Sequence, residues 1–377
     1  MIQNDVTYPT GRLKFNYMSY KARFEEKLFD FCRWAHKVSG MRKRINDFKK
    51  KPFSNALTKE QEKEVLDFYK PYKKPSLFFH RYFTGVSGSF YVSYIPQDLY
   101  VGYIDPYFND ILAAKFYDNK TIYDALFHGI PQPKTVLKRV NGIWMAGDNY
   151  PVFDADALRR ECCLSVEGGC FVKEAQTTAG GSGVIYIPKG QFSIQKVMEI
   201  VRKYKTDIIV QEELIQHEDI ARLHASSLNT LRMYSVLGKD GNATIYSAVV
   251  RMGSENAKLD NYSAGGLTCG IQPDGRLRKY AYNKKYEKME CHPTSKVVFE
   301  DYVIPNYQGA VDLIKKAHPM IAHFRSIAWD IAIRQDGTPV LIEANLCRGG
   351  IDSLQLNNGP LYGNDTKIIL DEVFHNK

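Results

Sequence analysis

Near its C-terminal end the chain reads Trp329-Asp330-Ile-Ala-Ile-Arg-Gln-Asp336-Gly337-Thr-Pro-Val-Leu-Ile-Glu343-Ala-Asn345. This stretch constrains the fold more than any other. Two apolar runs flank an Asp-Gly pair, a strong short-range signal for a β-hairpin. The pattern predicts strands over 329–333 and 340–344, with Asp330 at the start of the first. Glu343 and Asn345 stand two apart on the second, so they share a face. A carboxylate set in an apolar strand is costly without a partner. Two carboxylates and an amide are hard oxygen donors. They suit Mg²⁺, which takes one or two carboxylates together with substrate phosphates. The plainer reading, polar residues on the solvent face of a hairpin, stays open on spacing alone.

Two upstream segments bear on the same question. Phe171-Val172-Lys173 precedes Ala179-Gly180-Gly181-Ser182-Gly183-Val184. A lysine at a strand end followed by a Gly/Ser loop suits phosphate, because glycines let backbone N–H groups approach and the lysine supplies charge. The order of a Walker A loop is absent, and a strand rather than a helix is expected next. A glycine-rich hairpin turn explains the same residues. Farther on, an apolar strand over 208–211 empties into Glu212-Glu213-Leu214-Ile215. Its main chain suits an adenine edge, and Glu218 or Asp219 suits ribose hydroxyls. An exposed acidic strand end is the ordinary alternative.

A length of 377 residues suggests two or three domains. The hydrophobic content of 44% and charged content of 25% exclude a wholly disordered or fibrous chain. Lys and Arg number 51 against 42 Asp and Glu, a net charge of +9. No run approaches the ~20 apolar residues of a membrane span, and the first residues lack a signal-peptide pattern. The seven cysteines show no zinc spacing. Together these suggest a reduced, cytoplasmic setting.

Phe24, Leu28, Phe31 and Ala35 predict a helix within 20–50, followed by a basic run over 42–51. Thr58 with Gln61 fits a capping box for a second helix, ended by Pro71. Residues 90–95 read as a strand, 119–127 as a helix, and 135–137 as a strand after the Gly129-Ile-Pro turn. Further strands are expected at 170–173, 184–187, 230–237 and 245–251, and helices at 194–204 and 310–324. Asp240-Gly241 is a second hairpin turn, so much of this half is antiparallel. His217, His224 and His292 show no metal or triad spacing.

The order of the motifs is lysine strand, Gly loop, apolar strand ending in Glu-Glu, then the hairpin with Asp330, Glu343 and Asn345. It resembles the ATP-grasp superfamily over roughly 115–351. Within it, Tyr94-Ile-Pro-Gln-Asp-Leu-Tyr100, Gly129-Ile-Pro-Gln-Pro-Lys-Thr135, Leu228-Asn-Thr-Leu-Arg232 and Ala264-Gly-Gly-Leu-Thr268 resemble the sugar-transfer-associated ATP-grasp proteins. Those are typically encoded beside polysaccharide-synthesis genes.

The resemblance implies an α+β, ATP-grasp fold, with largely antiparallel sheets in two subdomains enclosing ATP. Its parts would be a helical basic extension (1–76), a small α/β subdomain (77–135), a lid (136–214) and a C-terminal subdomain with the metal site (215–377). ATP and Mg²⁺ are the implied cofactors. Lys120 and Lys173 would hold phosphates, with Lys115 a rival to Lys120 because Asn119 stands where the family has aspartate. Gly180, Gly181, Ser182 and Gly183 would cover the phosphates. Glu212, Glu213 and Leu214 would meet adenine, and Asp219 or Glu218 the ribose. Asp330, Glu343 and Asn345 would be the metal ligands. Many relatives carry an arginine where Ala328 stands, and Arg232, Arg251 and Arg348 are candidates to replace it.

The expected activity is a carboxylate–amine ligase that forms a C–N bond through an acyl phosphate. It would act on a small-molecule or carrier-linked sugar carboxylate and an amine. A sugar or polyol kinase and a non-catalytic ATP-binding accessory to glycosyltransferases are the alternatives. No nucleic-acid module is recognised. The 42–51 run suits either a solvated turn or peripheral contact with an anionic membrane, at ~1 kcal/mol per charge.

Overall fold

The computed structural model describes residues 54–110, 112–146, 152–153, 166, 168–176, 183–204, 207–255, 265–347 and 349–375. The chain divides into two units, Met1–Asn55 and Ala56–Lys377. Apart from Ser54 and Asn55, the described residues belong to the second. The helix expected within 20–50 and the basic run at 42–51 lie outside them.

The second unit opens with helix α1 (Lys59–Tyr69). The Thr58 side chain accepts from the Gln61 N–H at 3.2 Å, and the Gln61 side chain accepts from the Thr58 N–H at 3.0 Å. This is the reciprocal capping box read from the sequence. Helix α2 (Leu77–Ser87) follows and stops at Gly88, whose φ of 84° suits the end of a helix.

The first sheet comprises β1 (Thr135–Val140), β2 (Ile143–Ala146), β3 (Val152–Phe153), β4 (Cys170–Glu174), β5 (Val184–Ile187) and β6 (Ile208–Glu212). Their order is β3-β2-β1-β6-β4-β5, and the described pairs are antiparallel. Asn141 and Gly142 join β1 to β2 with φ of 48° and 85°, the conformation a two-residue hairpin turn demands. Helix α3 (Ile194–Tyr204) lays Ile194, Val197, Met198 and Val201 on this sheet against Leu137, Val172 and Val210.

The chain crosses through 213–217 and the short helix α4 (Glu218–Leu223) to the second sheet. Its strands are β7 (Thr230–Leu237), β8 (Ala243–Met252), β9 (Leu267–Ile271), β10 (Leu277–Asn283), β11 (Lys288–Met289), β12 (Ser326–Ile333) and β13 (Pro339–Asn345). They run in the order β11-β10-β9-β8-β7-β12-β13, again antiparallel. Both faces are covered. Helix α5 (Tyr307–Ala317) packs Leu313, Ile314 and Ala317 on the side of Leu231, Met233, Trp329 and Ile331. On the other side, α1, α6 (Ile351–Asn358) and α7 (Thr366–His375) cover Tyr234, Val236, Val249 and Ala328 with Tyr69, Leu354 and Leu370. The fold is thus α+β with antiparallel sheets, as expected.

One irregularity positions the site. In the β12–β13 hairpin Ile331 faces Leu341, but Asp330 faces Glu343, so Ile342 is an extra residue. A bulge of this kind changes which face the following residues occupy. In a regular ladder Asp330 would face Ile342, and Glu343 would point to the face of Trp329 and Ile331. The bulge turns Glu343 and Asn345 onto the face of Asp330.

Several expectations are corrected. Residues 90–95 form turns, not a strand. The Gln355 side chain takes the place of a neighbouring strand: the Ile95 N–H donates to its Oε1 at 2.7 Å, and its Nε2 donates to the Ile95 carbonyl at 2.9 Å. Asp330 stands inside a strand that begins at Ser326, not at its start. The helix expected over 310–324 begins at Tyr307 and tightens into a 3-10 turn, His318–Ile321, where Pro319 cannot continue the α ladder. The helix over 119–127 is a 3-10 turn, Lys120–Ile122, followed by the short helix Tyr123–Leu126.

Candidate functional site

Asp330 lies at the centre of the second sheet and is 4% exposed. Arg232 stands directly opposite on β7. Its Nε and Nη2 donate to the two carboxylate oxygens at 2.5 and 2.9 Å. Arg251, on the adjacent β8, donates from Nη1 to Oδ2 at 3.1 Å. Burial pushes the Asp330 carboxyl up, but the two guanidiniums outweigh it and leave it below its ordinary value. The sequence placed Arg232 and Arg251 on neighbouring strands; the structure adds that both converge on Asp330. Arg232 Nη1 also reaches the Gly349 carbonyl at 3.4 Å, so its donors extend past Asp330.

Glu343, opposite Asp330, pairs with Lys120 Nζ at 2.9 Å. Lys120 is aimed there by two local contacts. The Asn119 side chain accepts from the Thr121 N–H at 3.0 Å and caps the 3-10 turn. The Lys120 N–H donates to the Ala175 carbonyl at 2.7 Å, just past β4. Lys115, by contrast, is exposed on the short helix Ala114–Tyr117.

Lys173, on β4, donates from Nζ to Gln211 Oε1 at 2.9 Å. Burial, reinforced by the positive charge of Lys120, lowers its ammonium to about 8, with Glu343 pulling the other way. Tyr123 completes the floor, donating from its hydroxyl to the Ala344 carbonyl at 3.3 Å. Burial beside Glu343 raises its phenol well above the ordinary value. Four cationic side chains thus gather beside the carboxylates of Asp330 and Glu343.

A cleft of about 430 Å³ runs between the end of β6 and the β12–β13 turn, lined by Glu212, Glu213, Leu214, Lys134 and Arg334 among others. The Glu212 carboxylate takes Lys134 Nζ at 2.9 Å, and Glu213 takes the Tyr186 hydroxyl at 2.8 Å. The Glu212 and Glu213 N–H groups donate to the Lys134 and Gly169 carbonyls. Among the described residues the main-chain N–H and C=O of Leu214 have no partner. The segment is pinned to the second sheet where Gln335 N–H donates to the Ile215 carbonyl at 2.9 Å.

Not every expected residue comes to this place. Asp219 is absent from the cleft lining. Its N–H donates to His217 Nδ1 at 3.2 Å, and its carboxylate lies 3.6 Å from Arg222. Glu218 is likewise not among the lining residues. Gly183 has φ of 81°, and a Cβ there would lie 2.7 Å from the Glu174 side chain, so the position demands glycine. Gly180, Gly181, Ser182 and Arg348 lie outside the described residues. His224 binds Ser227 Oγ and the Glu255 carbonyl, and His292 the Gly253 carbonyl, both away from Asp330. Sequence reasoning missed Gln211 and Tyr123. Their only signal was position: Gln211 immediately precedes Glu212, and Tyr123 lies one helical turn after Lys120.

Asp330, Glu343 and Asn345 would offer oxygen donors to a divalent cation of the magnesium kind in exchange for the arginine and Lys120 contacts that the two carboxylates make. Asp330, Glu343 and Asn345 share one face. Asn345 directs its Nδ2 to the Ala328 carbonyl at 3.0 Å, leaving its side-chain oxygen to accept. Among the described residues no cluster of three or more His, Cys, Asp or Glu suggests a metal site, so this one depends on the amide.

No curated protein matches the chain. Among solved structures, D-cycloserine synthetase DcsG is similar at 16% identity, over 71% of this chain and 72% of that one, with a TM-score of 0.41. An L-amino acid ligase from Bacillus licheniformis is similar at 13% identity over 68% of this chain, with a TM-score of 0.38. The ATP-grasp ligase PsnB, in complex with a precursor peptide and AMPPNP, is similar at 16% identity over 71% of this chain and 62% of that one, with a TM-score of 0.38. The chain spans 47% of the L-amino acid ligase and 45% of an N5-carboxyaminoimidazole ribonucleotide synthetase. A family model described as sugar-transfer associated ATP-grasp matches residues 101–368. With most of its length so matched, the chain belongs to the sugar-transfer associated ATP-grasp family.

Proposed function

We propose that the chain is an ATP- and Mg²⁺-dependent carboxylate–amine ligase acting on a sugar or polysaccharide precursor, for example joining an amino acid to a uronic acid. The observation that carries this reading is the gathering of Lys120, Lys173, Arg232 and Arg251 beside Asp330 and Glu343. Part-buried cations gathered in this way suit a polyanion, and a triphosphate is one.

In this reading Lys120 and Lys173 hold phosphate oxygens, with 180–183 as the cover over them. Glu212 and Leu214 flank the adenine, whose edge the main-chain groups of Leu214 take, with Glu213 beside them. Asp219 or Glu218 takes the ribose after a movement of α4. Asp330, Glu343 and Asn345 hold magnesium, which would neutralise phosphate charge during transfer. The parts are 1–76, 77–135, a lid at 136–214, and 215–377.

The γ-phosphoryl passes from ATP to a carboxylate oxygen of the acceptor; the bond between it and the bridging oxygen breaks, a P–O bond to the carboxylate forms, and ADP leaves. The amine then attacks the acyl carbon, phosphate leaves, and the amine's surplus proton goes to solvent. Arg232, with donors beyond Asp330, stabilises the oxyanion of the tetrahedral step, with Arg251 and Arg348 as companions.

Incubation with Mg·ATP and pooled uronic acids and nucleotide-sugars, with and without amino acids, tests this by phosphorus NMR. Free phosphate that appears only with carboxylate and amine together is the expected result. A new phosphoester would make the enzyme a kinase. Unchanged ATP in every pool, including carrier-linked acceptors, would overturn the ligase reading in favour of an accessory role.

A further inference from the structure

Strand β8 is an interior strand, yet part of it has a neighbour on one side only. It pairs with β7 from Leu237↔Ala243 to Thr230↔Arg251, with Tyr246 an extra residue between Ile245 and Ser247. With β9 it pairs only from Val249↔Gly270 to Met252↔Leu267. Beyond Ile271 the chain turns away, as the Gln272 N–H donates to the Arg276 carbonyl at 2.8 Å. The last group to cap the open side is Asn358, whose Nδ2 donates to the Ala248 carbonyl at 2.8 Å and the Ser247 hydroxyl at 3.0 Å. On that side residues 244–247 meet no main-chain partner among the described residues. In an antiparallel ladder every second residue directs its N–H and C=O to each side, an alternation that the extra residue Tyr246 shifts, so this is a bulged strand edge inside a sheet.

The edge forms the floor of a groove of about 660 Å³. Helix α5 makes one wall with Gln308, Val311 and Lys315, and Asn358 and Pro360 make the other. These walls flank the open edge, the kind of surface that natural sheets keep from pairing with another sheet. Four residues of strand span ~13 Å. Arg278 and Lys315 are exposed at the rim, and no carboxylate lines the groove. The nearby Asp365 is engaged by the Tyr246 hydroxyl at 3.1 Å. Arg251 of the candidate site stands at the opposite end of the same strand, so an occupant here leaves that site open.

We propose that this groove receives an extended acidic peptide segment of another protein. The segment takes the position that β9 vacates, pairs its main chain with 244–247, and presents its carboxylates to Arg278 and Lys315. This is strand addition, in which main-chain bonds give affinity and flanking side chains give selectivity.

The test uses a fluorescein-labelled decapeptide alternating glutamate with valine, added to the full chain. The expected result is saturable binding, with slowed amide hydrogen exchange at 244–247. Methylating every second peptide nitrogen removes the donors and weakens binding about tenfold or more. Lys315→Glu, at an exposed position, weakens it about fivefold while the melting temperature and nucleotide turnover stay at the wild-type level. Equal binding of the methylated peptide would reduce the effect to charge alone and overturn the proposal. So would protection elsewhere on the chain, an absence of binding, or protection of 244–247 by self-association, seen in sedimentation without peptide.

Discussion

Lys173 and Asp330 are buried charges with opposite accommodations. Lys173 donates to the side-chain amide of Gln211, and burial lowers it to about 8. The unfolded chain holds that proton to about 10.4. Below 8 both states are protonated and the cost of the buried cation is complete; between about 8 and 10.4 the unfolded state binds more protons, so stability rises with pH. Urea unfolding on either side of pH 8 should reveal this rise, and Lys173→Met should flatten it. A bound triphosphate favours the charged ammonium, so nucleotide affinity is expected to fall as pH passes 8. Asp330 is satisfied by two arginines. Removing one partner of a buried pair costs about 3 kcal/mol. Arg232→Ala should approach that value by urea denaturation, and Arg251→Ala should cost less, because Arg232 alone supplies two of the bonds.

At the scale of elements, what the sequence made legible was local chemistry. The Thr58–Gln61 box announced α1, and Thr58→Ala should cost about 1 kcal/mol, measured by thermal unfolding, with Gln61→Ala non-additive to it. Asp-Gly turns located the β7–β8 and β12–β13 hairpins. What stayed hidden had non-local causes. Residues 90–95 carry a strand's composition, but Gln355, 260 residues away, takes the main-chain groups of Ile95. Strands β9 and β10 and helices α6 and α7 were missed, because a sheet covered on both faces erases the polar–apolar alternation that announces a half-buried strand. The site was legible as a list of residue types, since Lys120, Lys173, Asp330, Glu343 and Asn345 do meet. The convergence of Arg251 and Arg232 on one carboxylate required the strand order β8-β7-β12.

At the scale of the whole molecule, two sheets meet along the 213–217 crossing, and the cleft lies where they meet. A ligand that binds only the folded state stabilises it in proportion to its occupancy, by about 2.7 kcal/mol at a hundredfold excess over Kd. Mg·ATP should therefore raise the melting temperature of the wild-type chain by several degrees. Glu343→Gln and chelation by EDTA should each abolish the rise, read by differential scanning fluorimetry. No helix among the described residues is long and apolar enough to cross a membrane.

The extra residue at Ile342 makes the site a matter of parity. Deleting it would remove no charged group and alter no partner's chemistry, yet Glu343 would be delivered among Trp329 and Ile331, and Asp330 would face an aliphatic chain. Lengthening the turn at Asp336-Gly337 would leave the parity intact. The parity is therefore indifferent to the length of the tip, while a single-residue change higher up takes Glu343 and Asn345 off the face of Asp330. Two sequences with identical site letters, one residue apart in spacing, would encode one working site and one broken core.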